Sequence, residues 1–126
     1  MSEAYTADHP VMVWFRAAPR AGELPPGADV HAVEARSPAD GAVLRLCARV
    51  AGGCLQAVRF RAHGCPATIA CGAWLAEQLE GQPVTVLHQV SAMRISEALQ
   101  LPATRRHSAV LAETAAADLA RAVAGA

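Results

Sequence analysis

The stretch RFRAHGCPATIACGAWLAEQLEG, residues 59–81, joins two kinds of structure at a single cysteine. Its first part completes LQAVRFRAHG, an alternating run that reads as a strand entering a turn. Its second part, PATIACGAWLAEQLEG, reads as a helix from Pro66 to Glu80 that stops on Gly81. Pro66 suits the first helical position, where a missing N–H removes no hydrogen bond. Cys65 is then the N-cap. It faces backbone N–H groups without partners and the positive end of the helix dipole, both of which favour thiolate over thiol. The pattern is that of a reactive cysteine, with an ordinary capping role as the alternative.

Upstream, AVLRLCARV (residues 42–50) alternates strictly, with Leu44, Leu46, Ala48 and Val50 on one face and Val43, Arg45, Cys47 and Arg49 on the other. Gly52 and Gly53 make a tight turn, so this run and the one ending at His63 form a hairpin. DVHAVEAR (29–36) supplies a third strand. Before it, PVMVWFRAA (10–18) reads as a short helix stopped by Pro19, and PRAGELPPGADVH as a Pro/Gly-rich connection. Residues 1–9 read as a loose start. Downstream, helices are expected around Ser91–Leu99 and from about Arg105 to Ala124, separated by the turns GQPV and LPATR. Strands followed by helices predict one α+β domain over residues 1–126, a small three-stranded antiparallel sheet covered by helices on one face.

The chain has 126 residues, 53% apolar and 17% charged, which suits a compact soluble domain. Lys+Arg and Asp+Glu both number 11, so no basic excess points to nucleic acid or to an anionic membrane. No apolar run is long enough to span a bilayer, and the start lacks the basic and apolar regions of a signal peptide. A cytoplasmic location is expected. In a reducing compartment Cys47, Cys54, Cys65 and Cys71 are thiols, and the absence of a C-x-x-C pair excludes a self-contained zinc knuckle. Cys71 points away from the first turn of its helix and reads as a small hydrophobe. Cys47, on the arginine-bearing face of its strand, is expected to be half exposed. Trp74 has the spacing of a core or interface residue, and His63 reads as a solvated loop residue. Asp40, in SPADG, is a natural turn residue. His107 opens the last helix in the context RRHS, where a structural and a functional role are both open.

The motifs GAVLRLCARV, GG-CLQAVRFRAHGCPATIACGAWL, LEGQPV and LPATRRHSAVLAE, in this order and spacing, resemble the iron–sulfur cluster assembly scaffold family of the IscU / NifU N-terminal type. The resemblance runs from about Pro38 to the C-terminus, and WFRAAPRAG looks like a degraded form of the family's N-terminal segment. It implies an IscU-like α+β fold and a role as scaffold or carrier rather than enzyme. Family members hold a nascent cluster, or zinc, through three cysteines from separate segments, with an aspartate and a histidine nearby. Position by position, Asp40 falls at the first cysteine and Ala42 at the aspartate. Cys65 preserves the second cysteine and His107 the histidine, while Ser108 replaces the third cysteine. The chaperone-recognition stretch survives partly as Leu101 to Arg105.

The resemblance therefore implies Cys65, His107 and Asp40 as candidate ligands for iron, zinc or a labile iron–sulfur cluster. One sulfur, one nitrogen and one oxygen suit zinc or ferrous iron better than a stable [2Fe–2S] cluster. A cluster bridged between two chains, each giving Cys65, implies a homodimer. Implied partners are a cysteine desulfurase, a chaperone and a recipient apo-protein. A second expectation treats Cys65 as a persulfide acceptor like the related SufE-type proteins, its thiolate taking sulfur from the desulfurase with His107 or His63 as nearby base or cation. A third is a degenerate, non-catalytic partner.

Overall fold

Gly52 and Gly53 both take positive φ, 59° and 74°, which only glycine adopts without strain, and they close the central hairpin. In the computed structural model of the chain, which describes residues 5–125, this hairpin joins β2 (Val43–Ala51) to β3 (Cys54–His63). β1 (Val30–Arg36) pairs antiparallel with the other side of β2, giving the order β1-β2-β3. Register sets Leu44 opposite Ala62, Leu46 opposite Phe60 and Ala48 opposite Val58. These face the core together with Ala35 and Val33 of β1. A register shift between Arg49 and Val50 breaks the strict alternation at the end of β2, where Val50 pairs with Leu55.

Among the described residues four α-helices accompany the sheet: α1 (Pro10–Ala17), α2 (Pro66–Leu79), α3 (Ala92–Leu99) and α4 (Arg106–Ala124). α2 lies against β3 and β2, and α4 against β1 and β2, so both cover the same face. α2 approaches closely because Gly72 has no side chain. A Cβ there would lie 2.7 Å from Phe60 Cδ2 and 2.9 Å from Leu44 Cδ1. α4 makes its approach with small residues, burying Ala109, Ala112, Ala115, Ala116 and Ala120 around Leu111 and Leu119. The outer edge of β3 is also protected. Gly22 N–H donates to Phe60 O (2.8 Å) and Phe60 N–H donates to Arg20 O (3.1 Å), so the Pro/Gly-rich connection occupies that edge.

Two features depart from the sequence reading. Cys47 is 1% exposed rather than half exposed. Register puts Ala32 and Arg59 on either side of it, with Arg45 and Arg49 beside it on its own strand, long stems among which a short side chain can be buried. Val84–Gln89, of which only Val84 falls in the expected turn GQPV, forms a 3-10 helix that packs on α4. Of the segment expected to be loose, residues 1–4 lie outside the described residues. Residues 5–9 form a turn, with His9 N–H donating to Thr6 O (3.0 Å) and His9 Nδ1 accepting from Val11 N–H (3.1 Å), which caps α1. No helix among the described residues is long and apolar enough to cross a membrane.

Candidate functional site

Three segments distant in sequence meet where β3 gives way to α2. Gly64 makes the junction with φ +154°, and a Cβ on it would lie 3.0 Å from both Ala42 Cβ and Thr68 Oγ1. Only glycine brings the end of β3 this close to residue 42 on one side and to the first turn of α2 on the other. Cys65 follows as the N-cap of α2, with extended backbone and Pro66 at the first helical position. It is half-buried and unbridged.

The sulfur has a polar surrounding. Cys65 Sγ lies 3.6 Å from Thr68 Oγ1, and Thr68 Oγ1 lies 3.3 Å from Ser108 Oγ in the first turn of α4. The backbone N–H groups of Thr68 and Ala67 face the sulfur without closing a capping hydrogen bond. Burial pushes the Cys65 thiol up. The Thr68 hydroxyl, those two N–H groups and the charge of Arg105 outweigh it, and the thiol lies below its ordinary value. Cys71, wholly enclosed, is pushed up by burial to about 12.

Asp40 and His107 form the second part of the site. Asp40 Oδ1 accepts from Ala42 N–H at 3.1 Å, the turn role its sequence context suggests, while Oδ2 lies 2.9 Å from His107 Nε2. The Ala42 N–H holds the Asp40 carboxyl below the usual carboxylate range; desolvation opposes this and His107 adds to it. Asp40 and His107 are thus brought together, and Ser108, next to His107, reaches Cys65 through Thr68. Among the described residues, however, no three His, Cys, Asp or Glu side chains converge to hold a metal ion. Cys65 and the Asp40–His107 pair are neighbours in the fold rather than a closed ligand set. His63 is exposed at the end of β3.

Sequence reasoning passed over Thr68. The available signal was a single hydroxyl in the otherwise small and apolar start of α2, because a buried hydroxyl needs a partner. Thr68 and Ser108 are each 1% exposed, so both hydroxyls lie inside the protein.

The fold and site define an α+β domain that presents one half-buried cysteine at a strand–helix junction beside an aspartate–histidine pair. Residues 8–124 match the NifU-like N terminal domain, and the chain belongs to that family. It is 46% identical over 82 residues to a bifunctional NifU/MnmA protein of Rubrobacter xylanophilus, covering 63% of this chain and 17% of that one. It is 32% identical over 96 residues to iron sulfur cluster assembly protein 1, mitochondrial, of Schizosaccharomyces pombe, covering 75% of this chain and 50% of that one. The chain thus spans half or less of the length of these two relatives. In fold it is similar to the N-terminal part of a NifU-like protein from Brucella abortus, with a TM-score of 0.75 at 17% identity, covering 94% of each chain.

Proposed function

We propose that this chain serves iron–sulfur cluster assembly as a divergent scaffold-family protein whose working group is the Cys65 thiolate. Membership of the NifU-like family and relatives named for cluster assembly support the general role. The observation that carries the finer reading is Cys65 itself, a half-buried thiol at a helix start with its acidity raised by Thr68, two N–H groups and Arg105. The donor set does not match a cluster ligated by one chain. It offers one thiolate, and a buried serine hydroxyl replaces a sulfur at residue 108.

The role that fits a lone activated thiolate is sulfur acceptance. The Cys65 thiolate attacks the outer sulfur of a donor cysteine persulfide. The S–S bond of the donor breaks as a new one forms on Cys65, the donor departs as thiolate, and the proton stays on the transferred sulfur. No outside oxidant or reductant is needed. A cysteine desulfurase is the class of partner that supplies such a persulfide, and a scaffold or apo-protein the class that consumes it. Incubation with a desulfurase and cysteine, followed by peptide mass analysis, is expected to add one sulfur atom to Cys65 in wild type and none in Cys65→Ala. No addition to wild type overturns the reading.

The Asp40–His107 pair favours a second reading, in which Cys65, His107 and Asp40 hold iron or zinc, or two chains share a labile cluster through their Cys65 thiolates. This requires the pair to close on Cys65, or a second chain to complete the set. Metal bound in proportion to protein and lost in Cys65→Ala is its signature. If Cys65 takes neither sulfur nor metal, the chain is a non-catalytic partner.

A further inference from the structure

Thr68 enters the reading above as one of several groups near the sulfur and Ser108 as a missing ligand, but their contact with each other does not: both are buried, and they link α4 through α2 to the sulfur. Each hydroxyl has one proton to give and lone pairs to receive. A thiolate can only accept. When Cys65 carries its charge, the stronger acceptor for the Thr68 O–H is Sγ at 3.6 Å rather than the neutral Ser108 Oγ, which leaves the Ser108 O–H to give to Thr68 Oγ1 at 3.3 Å. The chain of donors then runs one way, from α4 through α2 to the sulfur. Thr68 is also held in place. Its β-branched side chain has few rotamers on a helix, and its Oγ1 lies against Gly64 where no side chain intervenes.

We infer that Thr68 is a positioning residue for Cys65, held in turn by Ser108, and that this hydroxyl pair fixes and supports the sulfur in the direction from which it reacts. The inference rests on the reading of Cys65 as a working thiolate. It concerns how the chain presents that thiolate, not what the thiolate receives.

Alkylation of Cys65 by iodoacetamide at neutral pH, followed on the Cys65 peptide, tests it. Thr68→Val keeps the shape and removes the hydroxyl. Its alkylation is expected to slow about threefold, because losing a hydrogen bond to the charged sulfur is partly offset by greater nucleophilicity of the less stabilised sulfur. Thr68→Ser restores the hydroxyl and is expected to return most of the wild-type rate, which a purely structural role does not predict. Ser108→Ala leaves Thr68 its own proton and is expected to lower the rate by less than Thr68→Val. Should Thr68→Val not fold, Thr68→Ala carries the same comparison against Thr68→Ser. Equal rates in wild type and the hydroxyl-free variant, or no rescue by Thr68→Ser, overturn the inference. Sulfur loading from a desulfurase separates the two failures. If wild type takes no sulfur while the alkylation order holds, the acceptor reading fails and the positioning role stands. If wild type and the hydroxyl-free variant load and alkylate alike, the positioning role fails and the acceptor reading stands.

Discussion

Cys65 and Cys71 belong to one helix segment, six positions apart, and have opposite chemistry. At the start of α2 the sulfur is half-buried, near Arg105 and a hydroxyl, and its thiol lies below the ordinary value. Nearly two turns later the helix is pressed on the sheet at Gly72, and burial pushes the neighbouring Cys71 up to about 12. The residue type is the same at both places, so the difference comes from position. At the start of α2 the N–H groups of Ala67 and Thr68 and polar side chains stabilise charge; at its middle, close packing excludes both water and counter-charge. Stability should therefore reside in the middle of the helix and reactivity at its start.

Removing the packing partner of the middle is the largest test of that division. Phe60 is 2% exposed and meets Gly72 directly. Phe60→Ala is expected to cost about 3–5 kcal/mol in urea unfolding, from lost burial and the cavity left behind. Cys71 labelling should rise as the open population rises. Cys65 labelling in the folded protein should stay near the wild-type rate. A Cys65 rate that shifts with the packing would show that the two ends of α2 are not independent.

A smaller change presses on the same contact from the other side. Gly72→Ala gains helix propensity of about 1 kcal/mol, but the new methyl enters space within 3 Å of Phe60 and Leu44. Leu44 Cδ1 is the end of a flexible chain, whereas the buried Phe60 ring has little room. With overpacking of typically 1–3 kcal/mol, the expected net is a loss of up to about 2 kcal/mol by the same unfolding measurement. A stabilised variant would mean that α2 is not held against the sheet by this glycine.

The parts of this division that sequence conveyed are those with local causes. Alternation in β2, the Gly-Gly turn and Pro66 after Cys65 each constrain the backbone within a few residues, and the hairpin, the helix start and the N-cap cysteine follow directly. Alternation also sorted Cys47 to the arginine face, but a face says nothing of what covers it, and the thiol is buried among arginine neighbours in the register. The six-residue 3-10 helix at Val84–Gln89 is too short to leave a period. The contact between Asp40 and His107 spans 67 positions and has no local signature; the family pattern alone placed them together. The same holds for Thr68 and Ser108, 40 positions apart, whose contact depends on how α4 docks beside α2.

The smallest expected effect lies in the Asp40–His107 pair, with side chains 30% and 28% exposed. Asp40→Asn keeps an oxygen to accept from Ala42 N–H and removes the charge that faces His107. A partly solvated pair of this kind contributes at most about 1 kcal/mol. Its pH dependence has a definite sign. The folded Asp40 carboxyl binds its proton less tightly than an unfolded one, mainly through Ala42 N–H and against desolvation. Its contribution is therefore present above the unfolded value, near about 4, and is lost as pH falls through the folded value. Wild type is expected to be slightly more stable than Asp40→Asn at neutral pH, and the two unfolding curves should converge in acid. If Cys65 alkylation also falls in Asp40→Asn, the pair supports the thiolate as well as the turn, and the reactive end of α2 extends to residue 40. If the alkylation rate is unchanged while the neutral-pH difference in stability remains, the pair holds the loop and leaves the sulfur to Thr68, the N–H groups and Arg105.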